Sequence, residues 1–194
     1  MNTTISDTNQ QIKKEADDIL YRQELFSIIS GYGIPHITGS YALNLMTWRD
    51  LDIYIQKENM TEAEFFQLGA AINLQFRPVK MSYRNERITK TKGLPHGLYW
   101  GVYLGNERKD AWKIDIWAVD EKECQRLLKF CNEIAARLTP ISVKTILGIK
   151  SICWQDSEYR RSYTSSDIYE AVLVHGITGL KEFRNYLQIK SKTK

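Results

Sequence analysis

The 194-residue chain has no long apolar run. Nothing in it approaches the ~18 consecutive apolar residues that a membrane span needs. Its polar start, Met1 to Lys14, has no apolar signal region. These absences predict a cytoplasmic protein with no membrane partner. Cysteine is scarce. Cys124, Cys131 and Cys153 are odd in number and lack paired short spacings, which argues against a disulfide framework and a zinc knuckle. Cys124 and Cys131 instead fall seven apart in a helical pattern, as residues sharing a buried face do. Neither sign of charge dominates: 27 basic residues face 23 acidic ones, a net charge of +4. A surface that neutralises nucleic-acid phosphates carries a strong, clustered basic balance. The mild excess argues against nucleic acid as a partner and is compatible with a small anion such as a nucleoside triphosphate. The only dense basic run, Lys190, Lys192 and Lys194, reads as a solvated tail. His36, His96 and His175 do not cluster. Ser151, Ser157, Ser162 and Ser165 lack the glycines of a nucleophile elbow.

What is present is an ordinary globular composition, 43% hydrophobic and 26% charged, with five Trp and eleven Tyr to fill a core or line a pocket. After a frayed start over residues 1–10, apolar spacing predicts a helix from Gln11 to Ser30, stopped by Gly31 and Gly33. A short extended piece, Pro35 to Thr38, leads to a short helix over Tyr41 to Met46. Asp50 to Gln56 alternates with the period of a strand, Leu51, Ile53 and Ile55 facing one way. Thr61 and Glu64 form a capping box, with Met60 and Phe65 as a staple, for a helix to about Phe76. Strands are expected over Val79–Tyr83, Leu98–Leu104 and Ala111–Val119, with a loop from Asn85 to Gly97 and a polar turn from Gly105 to Asp110. From Glu121 the pattern is helical. Pro140 starts a second helix there, Ser165-Ser166-Asp167 caps a third, and Thr178 or Gly179 opens a last one to about Leu187. The fold class is α+β: a mixed β-sheet flanked by helices over residues 1–120, then a helical unit over residues 121–194.

The chemistry concentrates in Thr38-Gly39-Ser40 followed, after nine residues, by Asp50-Leu51-Asp52. Gly39 lets the backbone approach a ligand, and Ser40 adds a hydroxyl at the expected start of a short helix, a combination suited to the outer phosphates of a triphosphate. Asp50 and Asp52 lie two apart on one strand, so both carboxylates project from the same face. Two such charges need a cation between them, and magnesium, with its oxygen ligands and room for phosphates, is the natural choice. Trp112-Lys113-Ile114-Asp115-Ile116-Trp117 supplies a third carboxylate from a neighbouring strand. Asp110 and Asp120 are nearby rivals, but neither sits mid-strand between two isoleucines. Three converging carboxylates can hold two metal ions roughly 3.5–4 Å apart.

This ordered set resembles the signature of the polymerase-beta-like nucleotidyltransferase superfamily over roughly residues 34 to 120. The resemblance implies a nucleoside triphosphate substrate, two Mg2+ ions, and transfer of a nucleoside monophosphate with release of pyrophosphate. It implies that Gly39 and Ser40 hold the β and γ phosphates, that Asp50 and Asp52 bind both metals, and that Asp115 binds the catalytic metal and helps deprotonate the acceptor. In several members a basic residue of the following helical region contacts the triphosphate. Lys144 and Lys150 are the candidates, and Lys150 is taken. The size and helical tail resemble the small antibiotic nucleotidyltransferases that modify lincosamides and aminoglycosides, so the expected acceptor is a hydroxyl of a small molecule. Toxin-type members, which modify protein or RNA, read Gly-Ser-x-Ala-Arg-Gly. Here Gly39-Ser40-Tyr41-Ala42-Leu43-Asn44 lacks the Arg-Gly. A non-catalytic nucleotide-binding module is the remaining alternative, and the presence of all three carboxylates speaks against it. Arg49 is read as a structural ion-pair partner. Trp100, Tyr103, Trp112 and Trp117 could stack a base or fill the core. Asp156 and Glu158 are the helical unit's candidates for a base.

Overall fold

A computed structural model describes residues 4–106 and 111–192, the side chain of residue 192 excepted. The rival Asp110, most of the turn that ends on it, and Lys194 therefore lie outside the described residues. Among those described, the order is α1 (Ile5–Asp17), α2 (Leu25–Ser30), β1 (Ile34–Thr38), α3 (Gly39–Ala42), β2 (Asp50–Gln56), α4 (Glu62–Phe76), β3 (Lys80–Asn85), α5 (Glu86–Thr89), β4 (Leu98–Leu104), β5 (Trp112–Val119), α6 (Glu121–Ala135), α7 (Pro140–Cys153), α8 (Ser165–Leu173) and α9 (Leu180–Lys192). The strands form one mixed sheet in the order β1-β2-β5-β4-β3. β2 and β5 are parallel; the other neighbours are antiparallel. The α+β class is as the sequence predicts.

One face of the sheet is the main core. Leu51, Ile53 and Ile55 of β2, Ile114 and Ile116 of β5, and Leu98, Trp100 and Val102 of β4 are buried there against α1, α2 and α4. Trp100 is a core residue: its indole N–H donates to the Phe65 carbonyl at 2.9 Å, and Phe65 stacks on it with ring centroids 6.0 Å apart. A second core joins Leu43 and Leu45 to the apolar stripes of α7, α8 and α9. α6 lies between these bodies. Its Cys124 packs against Trp117 and Val119 on the sheet's other face, so Trp117 too is packing rather than an open ring.

Several local expectations need correction. The single helix over Gln11–Ser30 is broken by a π-helical turn at Asp18–Arg22 and by Glu24, which has φ of 67°. The first helix also starts earlier than the polar composition suggests. Thr4 caps it in a capping box with Asp7, and Asn9, buried on it, is tied to the loop after α3. The short helix expected at Tyr41–Met46 is instead Gly39–Ala42, because the chain turns at Asn44, which has φ of 56°. The expected loop from Asn85 contains α5. α8 is capped by Thr164, one residue before the Ser165 expected. Lys190 is no frayed tail: it lies in α9 and bridges Asp167 at 3.0 Å and Glu170 at 2.5 Å.

Candidate active site

β1 runs antiparallel to β2, with Thr38 opposite Asp52, so the Gly39-Ser40 turn emerges beside the aspartate strand. β2 pairs in register with β5, placing Asp52 opposite Asp115 and Asp50 opposite Lys113. The two-residue period of a strand sends Asp50, Asp52, Lys113 and Asp115 to the same face. It is the face away from the main core. A cleft of about 220 Å³ opens over it, lined among others by Gly39, Ser40, Asp50, Asp52, Lys150 and Tyr169. Residues 110 positions apart in sequence thus meet in one space. Asp115 lies beside this group on the next strand and does not line the cleft.

Gly39 is fitted to its neighbour. It has φ of +63°, and a Cβ added there would fall 2.1 Å from Asp52 Oδ2. Only glycine allows the turn to lie against that carboxylate. Ser40 is half-buried on α3. The Asp50 Oδ1 atom is buried with no hydrogen-bond partner. Burial pushes both carboxyls above the usual aspartate range. Asp52 adds to the shift at Asp50, and Asp115 adds to that at Asp52. Lys113, its side chain 8% exposed, stands 3.8 Å from Asp50 Oδ1 and in contact with Asp115 Oδ2. The other oxygen of Asp115 accepts from the Tyr99 hydroxyl at 2.7 Å.

Lys150 is buried on α7 and points into the cleft. Its ammonium donates to the Leu45 carbonyl at 2.7 Å and to the Tyr169 hydroxyl at 3.2 Å. Burial lowers its pKa to about 8, against the pull of Asp50 and Asp52, which favour the charged form. Lys144 is exposed on the same helix. Arg49 pairs with Glu15, with nitrogen–oxygen distances of 2.6 and 3.0 Å. Asp156 and Glu158 line a different hollow beside α9.

Sequence reasoning missed Trp48 and Arg160. Trp48 lines the cleft and stacks on Trp154, with centroids 6.3 Å apart and planes 4° apart. The Arg160 guanidinium lies 5.4 Å from the Trp48 ring centroid, and its charge reaches Asp50 and Asp52. A left-handed arginine in an irregular loop carries no periodic signal (φ is 67°).

The donor set suits a hard divalent cation. Two adjacent carboxylates, one with an orphaned buried oxygen, would otherwise repel each other in a low-dielectric site. No three His, Cys, Asp or Glu side chains among the described residues form a ready-made metal cage. A cation here would need substrate oxygens or water to complete its shell.

No protein-family model matches the chain, and no curated protein matches it. Solved structures do. Terminal uridylyl transferase 4 from Trypanosoma brucei with bound UPU superposes with a TM-score of 0.54 at 13% identity, over 88% of this chain and 58% of that one. The chain has the nucleotidyltransferase fold. The Cid1 poly(U) polymerase bound to MgATP gives 0.52 at 16% identity, over 88% and 51%. A cytoplasmic RNA terminal U-transferase gives 0.50 at 14% identity, over 89% and 54%. The chain spans about half the length of the solved structures it matches. One of these neighbours is named as an RNA terminal U-transferase and another as a poly(U) polymerase, so the expectation against a nucleic-acid partner gains no support from them. No helix among the described residues is long and apolar enough to cross a membrane.

Proposed function

We propose that the chain transfers a nucleoside monophosphate from a nucleoside triphosphate to an acceptor hydroxyl, with release of pyrophosphate. One observation carries this reading: Asp50 and Asp52, with an orphaned buried oxygen, share a single cleft with Gly39, Ser40 and Lys150. Asp50 and Asp52 are the residues that would hold magnesium. When bound, the ion would supply positive charge beside the phosphates of the substrate. Gly39 keeps the backbone clear of Asp52 and leaves room for the outer phosphates. Ser40 offers a hydroxyl to them. Lys150 supplies an ammonium held in place by Leu45 and Tyr169, so little reorganisation accompanies the arrival of an anion. Trp48 and Tyr169 give the same cleft aromatic walls on which a base or a planar acceptor can pack. Such catalysis is positioning plus fixed charge, as in phosphoryl transfer generally.

For the acceptor, a small-molecule hydroxyl is favoured by the mild net charge of +4, where a nucleic-acid surface carries a strong basic excess. RNA is the second reading, favoured by the neighbours named as an RNA terminal U-transferase and a poly(U) polymerase. Calorimetric titration with Mg2+ and each nucleoside triphosphate separates a binder from a non-binder. Pyrophosphate release is then measured with aminoglycosides, lincosamides and short RNA oligonucleotides as acceptors. Release with a small molecule alone supports the first acceptor reading, and release with RNA alone supports the second. Failure to bind any triphosphate in the presence of Mg2+ would sink the functional proposal itself.

A further inference from the structure

We infer that this chain holds a single divalent cation, at Asp50 and Asp52, and that the Lys113 ammonium provides the second positive charge beside Asp115. The inference rests on the nucleotidyl-transfer reading and departs from the two-ion expectation.

The three carboxylates are not equivalent. Asp115 has both oxygens engaged by the chain's own donors: Oδ1 by the Tyr99 hydroxyl at 2.7 Å, and Oδ2 by Lys113. Asp50 Oδ1 has no hydrogen-bond partner although it is buried. Asp52 and Asp50 line the cleft, and Asp115 does not. The open coordinating capacity therefore lies on β2 and not on β5. Lys113 occupies the space that a second ion would need. Its Nζ lies between Asp115 and Asp50, 3.8 Å from the latter, so it bridges the two strands as a metal would.

The position of Lys113 is built into the backbone. In the parallel register it stands opposite Asp50, and it is two residues from Asp115 on the same strand, so its side chain must share their face. The side chain is 8% exposed, which leaves the ammonium little room to swing into solvent. A buried ammonium persists when paired, and two carboxylates flank this one. Displacing it with a second cation would strand that charge among packed side chains and strip Asp115 of a donor. Asp115 is then a positioning residue: with Tyr99 it fixes the ammonium rather than ligating an ion.

Counting ions tests this directly. The full chain is titrated with Mn2+ in the presence of α,β-methylene ATP or α,β-methylene UTP, and bound ions are counted by equilibrium dialysis. Two Mn2+ ions roughly 3.5–4 Å apart would also couple magnetically, and electron paramagnetic resonance reads that coupling. The expected result is one ion per chain with an uncoupled spectrum. Asp115→Asn should keep that ion with affinity within about threefold, whereas Asp52→Asn should lose it by roughly a hundredfold. Lys113→Met should admit a second, coupled ion. Two ions in the unaltered chain, or loss of the ion in a folded Asp115→Asn variant, would overturn the inference while leaving nucleotidyl transfer standing. No bound ion under any of these conditions would overturn both. The count in the unaltered chain decides the matter even if Lys113→Met does not fold.

Discussion

Gly39 lies directly against the carboxylate of Asp52: a Cβ at that position would come within 2.1 Å of Oδ2. The contact joins the turn after β1 to the acidic strand β2 with no side chain between them. Gly39→Ala must therefore displace the aspartate or the turn, and it also places alanine at a φ of +63°, a strain of roughly 1–2 kcal/mol. We expect Mg2+ and nucleotide affinity to fall by about tenfold or more, with far-ultraviolet circular dichroism unchanged. Calorimetric titration measures the affinity. Unaltered binding would show that this close approach has no part in the site.

Lys150 makes a second prediction. Its ammonium is buried, donates to Leu45 and Tyr169, and faces Asp50 and Asp52 across the cleft. Lys150→Met keeps the apolar stem and removes the charge. Triphosphate affinity should drop by about tenfold to a hundredfold, with a much smaller effect on a nucleoside that lacks phosphates. The nucleoside control separates lost phosphate contact from a collapsed pocket. Equal losses for both ligands would assign Lys150 to structure alone.

The aspartate pair predicts how stability responds to pH. Burial and the neighbouring Asp52 push Asp50 from its ordinary value of 3.8 up to about 8. Between those limits the folded state binds a proton that the unfolded chain has released, so stability falls as pH rises. The slope approaches about 1.4 kcal/mol per pH unit for one fully differential proton. A cation that binds the ionised pair reverses the loss. The increase in Tm on adding Mg2+ should therefore be larger at pH 8 than at pH 6. Asp50→Asn removes the titrating group, so the metal-free variant should melt several degrees higher than the unaltered protein at pH 8 and lose its Mg2+ response. Turnover in that variant should be lost with folding retained. A Mg2+ effect that is flat across this pH range would contradict the assignment.

β2 was legible in the sequence because Asp50–Gln56 alternates cleanly, as the two-residue period predicts, and β4 because the apolar run Leu98–Leu104 is set off by a polar turn. The capping box of Thr61 and Glu64 likewise marks the start of α4. Lys113 carried a readable signal, since it stands two residues before Asp115 on the same strand. Its charge matters only once the register sets it opposite Asp50, and register is a tertiary fact. Trp48, which lines the cleft, and Arg160, which lies against its ring, could not be read, because irregular segments place them without any period. The π-helical break at Asp18–Arg22 is invisible to apolar spacing, which it preserves: Ile19 and Leu20 stay buried.

Asn9 shows how a residue outside the cleft governs it. It is buried on α1, and its side-chain amide donates to the Asn44 carbonyl and to Asn44 Oδ1, both at 3.1 Å. Its own oxygen accepts from the Met46 backbone at 2.7 Å. One side chain thus satisfies three groups of the segment that links α3 to β2, the segment bearing Leu45, whose carbonyl holds Lys150. Asn9→Leu leaves the buried Met46 N–H without its partner, at a cost of about 1–3 kcal/mol, while the exposed Asn44 can turn to water. Urea denaturation should report a loss of stability of at least that size. Because the same segment positions Lys150, nucleotide affinity should weaken even under conditions where the variant is fully folded. A variant of unchanged stability would mean that the loop finds other partners. Lost stability with nucleotide affinity intact would confine Asn9 to the scaffold and detach the loop from the site.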